Sequence, residues 1–254
     1  MKKYNVYCLD LDGTVYHGTE PIPEAVSFIA NLQSQGIEPY YITNNSTATP
    51  EQVIEKLASF GIRTSVEQIM TSAIVSANYC KKHYDGATVQ IIGEKGLHDA
   101  LVSAGLKIVK ENPDIVVVGL DREVNYAKFT EIALAIRSGA KFIATNGDKA
   151  IPTERGLLPG AGSIVKLVEF TTGVKPVFIG KPESHMLAFI KEENGYSKDE
   201  MVMVGDNYDT DILSGIHYGI DTIYVEGGVT SVEELLSKDK QPTHIVKSLA
   251  DWQL

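Results

Sequence analysis

The sequence predicts an α/β protein built on parallel sheets, with two such units in one chain. Three observations carry this reading. Short apolar runs alternate with helical patterns nearly from end to end. Most of those runs are apolar on successive residues, as expected of strands covered on both faces. The chain has 254 residues, 43% hydrophobic and 22% charged, which is long enough for two sheet units of roughly 100–150 residues each.

In chain order, strands are expected over 5–9, 38–42, 88–92, 114–118, 141–144, 201–204 and 222–225, each an apolar run bounded by polar or turn residues. Helices are expected between them over 24–33, 51–60, 72–82, 126–137 and 184–193. The helix near Glu51 has Thr49 to cap it, Pro50 at its first position and Gly61 just beyond its end. Polar clusters follow the strands: DLDGT after the first, TNNST after the second, GDNYDTD after the one starting at Met201, and TNGD in the middle of the chain. Open α/β sheets bind ligands beyond the carboxyl ends of their strands. The simplest organisation is a core formed by 1–79 and 179–254, with a second α/β domain, 80–178, inserted between them.

The net charge of −10 argues against a broad nucleic-acid surface, which needs clustered Lys and Arg. It leaves room for a small phosphate ligand, which needs only a local cation or a metal. Two cysteines, Cys8 and Cys80, make a poor disulfide framework. The first apolar run meets Asp10 before a signal-peptide core can form, and no run of about eighteen apolar residues is found. The expectation is a reduced, cytoplasmic protein with no membrane partner.

Asp10 and Asp12 lie two residues apart at a strand end, so both carboxylates can face one ligand, and Gly13 permits the turn that follows. An ordinary Asp-Gly turn would look the same. An EF-hand loop would not: counted from Asp10 it needs glycine and an acid where Val15 and Pro21 stand. Asp206, Asp209 and Asp211 follow another buried strand, and two acidic strand ends in one parallel sheet suggest a shared hard cation, for which Mg²⁺ is suited. One of Asp209 and Asp211 is expected only to cap the helix that starts there. Thr43 and Asn44 can donate to anionic oxygens or cap a helix. Lys181 lies just ahead of a helix that Pro182 can start, and it is no Walker lysine because the flanking residues of that motif are missing.

Taken together, these residues resemble the haloacid dehalogenase (HAD) superfamily. The first motif matches at Asp10-Leu11-Asp12-Gly13-Thr14, the second at Thr43, the third at Lys181, and the fourth at Gly205-Asp206 with Asp211. TNNS after the second strand, the segment 143–163 and the segment 116–129 resemble the NagD-type branch with a large α/β cap; Gly147 stands where many relatives have proline. The resemblance implies a Rossmann-like parallel-sheet core with an inserted cap and a Mg²⁺-dependent phosphomonoesterase. Asp10 would be the nucleophile and Asp12 the general acid and base. Asp10, the Asp12 carbonyl and Asp206 would hold the metal, supported by Asp211. Thr43, Asn44, Lys181, Asn207 and Thr210 would bind phosphate, and Thr145, Asn146 and Asp148 are candidate specificity contacts of the cap.

A metal is needed on charge grounds alone. At about 4 Å and an effective dielectric near 20, a carboxylate facing a phosphate dianion is repelled by about 8 kcal/mol. The partner expected is a small phosphorylated metabolite, sugar phosphates foremost; nucleotides, pyridoxal phosphate and glycerol phosphate carry the same ester. A phosphomutase and a receiver-like phospho-acceptor are the other readings. Asp12 opposes the receiver, because it would hydrolyse the acyl-phosphate that signalling must preserve. A homodimer is compatible with the sequence but has no countable support in it.

Overall fold

A computed structural model describes residues 2–254. They divide into two compact units: the chain up to Thr43 with Glu51–Met70 and Lys181–Leu254, and Asn44–Pro50 with Thr71–Gly180. The helix Ser72–His83 therefore groups with the second unit, as does the short segment that follows Thr43.

The first unit holds a sheet in the order His244–Val246, Asp221–Val225, Met201–Gly205, Val6–Asp10, Tyr40–Thr43, Ile69–Thr71. Val6–Asp10 and Met201–Gly205 are buried at every residue, which is why their sequences are apolar without alternation. Val6–Asp10 pairs in parallel with Tyr40–Thr43 on one side and Met201–Gly205 on the other. The chain leaves this strand towards one side and returns on the other, so the carboxyl end of Val6–Asp10 is a topological switch point. Helix Pro23–Ser34 starts on proline and turns Ala25, Phe28, Ile29 and Leu32 inward at helical spacing. Helix Pro50–Ser59 buries Val53 and Leu57. It ends at Gly61, whose φ of +82° suits a residue without Cβ, and Ile62 N returns to Leu57 O at 3.0 Å.

The second unit has a parallel sheet of its own, in the order Val177–Phe178, Lys141–Ala144, Ile115–Val118, Thr88–Ile92, Lys107–Ile108. Its core joins Val116, Val118, Ile132, Ile136 and Phe142 to Ile164, Val165 and Val168 of the helix Ala161–Thr172. The PGAGS turn serves packing: a Cβ on Gly160 or Gly162 would sit 2.3 Å from the carbonyl oxygens of Asp148 or Gly147. Gly147 itself is under no such constraint, since a Cβ there would only touch Phe178 at 3.5 Å.

All seven expected strands form, with ends moved by two residues at most. Ile69–Thr71, Lys107–Ile108, Val177–Phe178 and His244–Val246 were not expected. Each is an edge strand of two or three residues, too short to carry a period. The helix expected over 184–193 forms as His185–Asn194, so Pro182 does not start it, and the Lys181–Pro182 peptide bond is cis. No helix among the described residues is long and apolar enough to cross a membrane.

Candidate active site

Two neighbouring strand ends of the first unit supply the acids of the site. Asp10 closes Val6–Asp10 at the switch point. Asp206 follows Met201–Gly205, and Asp211 lies in the single wide turn Tyr208–Ile212 beyond it. Carboxylate oxygens of Asp10, Asp206 and Asp211 all lie within 4.8 Å of one another. Lys181 Nζ donates to Asp10 Oδ1 at 2.5 Å, Asp211 Oδ1 at 2.7 Å and Ile42 O at 3.3 Å. These three acceptors match the three donors of an ammonium, which is how a lysine can be only 3% exposed and still charged.

Each carboxylate has further donors. Thr14 Oγ1 donates to Asp206 Oδ1 at 3.0 Å and lies 3.3 Å from Asp10 Oδ2. Val229 N donates to Asp206 Oδ2 at 2.7 Å. Asn207 N donates to Asp211 Oδ2 at 3.0 Å and Thr210 Oγ1 to Asp211 Oδ1 at 3.1 Å. Glycines let backbone close around the acids. A Cβ on Gly13 would lie 2.5 Å from the Asp206 carboxylate, one on Gly228 1.8 Å from it, and one on Gly205 2.3 Å from Asp211.

Burial, then the Asp211 charge, pushes the Asp10 carboxyl well above the usual carboxylate range, against the pull of Lys181. Asp206 is pushed up by burial and by Asp211, with Val229 N and Thr14 pulling back. Burial works against the Lys181 ammonium, but Asp10 and Asp211 outweigh it and raise its pKa. Three acids against one lysine leave a formal charge of −2 (−3 + 1) among buried oxygens. Hard oxygen donors with that deficit fit a divalent cation, so the group could hold a metal ion.

Other residues singled out from the sequence are distributed differently. Asp12 is exposed and its side chain stays outside the carboxylate cluster; Gly18 N donates to its Oδ1 at 3.4 Å. The third carboxylate of the cluster is Asp211. Asp209 is exposed and paired with Lys238 at 3.2 Å, so of the two acids it is the peripheral one. Thr43 ends the strand beside Asp10, one residue past its register partner Ile42. Asn207 caps the wide turn by accepting from Asp209 N at 3.0 Å.

Asn44 belongs to the second unit. Its amide donates to Asp148 Oδ1 at 3.1 Å, and its carbonyl accepts from Asn146 Nδ2 at 2.8 Å and Ser72 Oγ at 2.6 Å. Thr145 and Asn146 are buried there, and Thr145 Oγ1 lies 3.4 Å from Ser46 Oγ. Sequence reasoning gave no role to Gly228 and Val229. Their only local signal is a Gly-Gly pair just after the buried strand Asp221–Val225. Thr14 stands in the first motif, and the sequence alone implies no role for it.

Two family models match this chain: haloacid dehalogenase-like hydrolase over residues 7–107 and HAD-hydrolase-like over 178–252. The chain belongs to the haloacid dehalogenase-like hydrolases. Within the HAD superfamily it is of the NagD type, and it is a phosphatase. It is 48% identical over 252 residues to the 5'-nucleotidase YutF of Bacillus subtilis, covering 99% of this chain and 98% of that one. It is 49% identical over 250 residues to the acid sugar phosphatase of Staphylococcus epidermidis, covering 98% and 96%. A double mutant of the thermostable NPPase from Geobacillus stearothermophilus superposes with a TM-score of 0.94 at 48% identity, over 100% and 99% of the two chains.

Proposed function

We propose that this protein is a Mg²⁺-dependent phosphomonoesterase that works through an aspartyl-phosphate on Asp10 and acts on small phosphorylated metabolites, sugar phosphates first. The observation that carries the reading is the Lys181 ammonium at 2.5 Å from Asp10 and 2.7 Å from Asp211, beside Asp206. The Asp10 and Asp206 carboxylates and the Asp12 carbonyl would hold Mg²⁺, with Asp211 in support; when bound, it offsets the repulsion between Asp10 and phosphate and polarises a phosphoryl oxygen.

Asp10 attacks phosphorus, and the ester P–O bond breaks as Asp12 gives its proton to the leaving alkoxide. Asp12 then takes a proton from water, the water oxygen bonds to phosphorus, and the Asp10–phosphorus bond breaks to release phosphate. Lys181 neutralises charge on Asp10 before attack. Thr43, Asn44, Asn207 and Thr210 are assigned to the equatorial oxygens, where stabilisation matters most in phosphoryl transfer. Selection among leaving groups is assigned to the inserted domain, with Thr145, Asn146 and Asp148 as its candidate contacts. Likeness to YutF supports a second reading, a nucleotidase of the same mechanism.

The test is phosphate release from p-nitrophenyl phosphate, hexose phosphates, nucleotides and pyridoxal phosphate, with Mg²⁺ and with EDTA. Turnover should need the metal. Asp10→Asn should lower it about 10⁴-fold or more, the scale on which loss of a nucleophile acts. An active Asp10→Asn protein, with deamidation excluded by mass spectrometry, would refute the nucleophile. Ranking hexose phosphates against nucleotides decides between the two substrate readings.

A further inference from the structure

Helix Pro50–Ser59 carries a lysine in its last turn, Lys56. A lysine there can satisfy the helix dipole from solvent. Lys56 instead lies half-buried with its Nζ 3.7 Å from the centroid of the Tyr16 ring, well inside cation–π range. Phe60, one helical turn on, meets the same ring at 5.5 Å. Tyr16 is 8% exposed, so the ring is held between the cation and a second aromatic.

Tyr16 is also tied to the loop that carries Asp12. Its carbonyl accepts from Gly13 N at 2.8 Å, its own N donates to Leu11 O at 3.2 Å, and Asp12 and Tyr16 form a β-bridge. Burial lowers the Lys56 pKa and the Asp12 carboxylate raises it in opposition. The Gly18 N donor at 3.4 Å gives the Asp12 carboxylate only a weak anchor.

We propose that Lys56, seated on the Tyr16 ring, is a positioning residue that holds the Asp12 carboxylate on the leaving-group side of the phosphoryl-transfer site. This rests on Asp12 being the general acid of the reaction. The function it adds is selective: it matters for leaving groups that need a proton and not for those that leave as stable anions.

The experiment compares kcat/KM, which reports the steps up to loss of the leaving group, for two substrates. One is p-nitrophenyl phosphate, whose phenolate leaves without a proton; the other is whichever hexose phosphate or nucleotide the wild type turns over fastest. Lys56→Met should lower kcat/KM on the alkyl ester about tenfold, part of the roughly 10²–10⁴ that acid–base catalysis supplies, and change p-nitrophenyl phosphate less than about threefold. Lys56→Gln should behave alike, Lys56→Arg should restore most of the loss, and thermal melting should leave all three folded. An equal fall on both substrates, as from a structural or phosphate-binding role, overturns the proposal. Asp12→Asn is the control. If it discriminates between the esters while Lys56→Met does not, only the role of Lys56 fails; if it does not discriminate, the general-acid reading fails with it.

Discussion

The two units of this chain share an architecture and differ in what they bury at their strand ends. In the first, parallel strands end in Asp10, Asp206 and the loop of Asp211, around Lys181. In the second, Lys141–Ala144 ends in Thr145 and Asn146, bonded to Ser46 and to the Asn44 carbonyl. Buried neutral amides and hydroxyls are satisfied by one or two hydrogen bonds each. Buried carboxylates in excess over their lysine keep a residual charge even with their donors, and that charge suits the first site to a cation. A parallel sheet supplies the crevice; the charge placed in it decides what the crevice can bind.

Breaking the charge balance should give the largest effect. Lys181→Met leaves Asp10 and Asp211 without their ammonium and should destabilise the metal-free protein by about 3 kcal/mol, as loss of one partner of a buried pair does. Urea denaturation should show a smaller loss when Mg²⁺ is added. Equal losses with and without the metal would mean that no cation shares the charge of these acids.

Gly228→Ala sharpens the contrast without altering charge. Its Cβ must displace the Asp206 carboxylate, so Mg²⁺ affinity read by titration of activity should fall about 10- to 100-fold, as for other supports of a metal ligand. Asn146→Ala, in the second unit, removes the donor to Asn44 O and should lower stability by about 1–3 kcal/mol, with Mg²⁺ affinity unchanged. A shift of metal affinity in that variant would erase the distinction between the units.

The smallest effect belongs to the edge of the first sheet, where Tyr4 Oη donates to Asp221 Oδ2 at 2.9 Å and lies 2.9 Å from His244 Nε2. Burial lowers the His244 pKa in the folded protein, so the folded state favours neutral imidazole. Its contribution is complete above the unfolded value of about 6.5 and is lost as pH falls through the lower folded value. Asp221 resists burial through Lys2 and Tyr4, which hold its pKa down; its contribution is likewise lost only on acidification. The melting temperature should therefore decline modestly below about pH 6.5, and His244→Gln should flatten that decline.

Much of this was legible in the chain. Asp10 closes a five-residue strand, and Gly205-Asp206 closes another buried run, so their placement at strand ends follows from local patterning. Helix Pro50–Ser59 was legible from its proline and its terminal glycine. The edge strands were not, because two or three residues carry no period and form only when a neighbour offers its free edge.

What the sequence by itself determined was the ordered set of acids, hydroxyl and lysine after apolar runs, since each such signal spans fewer than about ten residues and depends on backbone periodicity alone. Only the tertiary structure decided that Thr14 reaches Asp206 across 192 residues of chain, that Gly228 closes on Asp206, and that Lys56 rests on Tyr16. Those choices are made by packing between segments remote in sequence, where a difference of one Cβ or one turn of helix settles which charge meets which, and no local pattern encodes that distance.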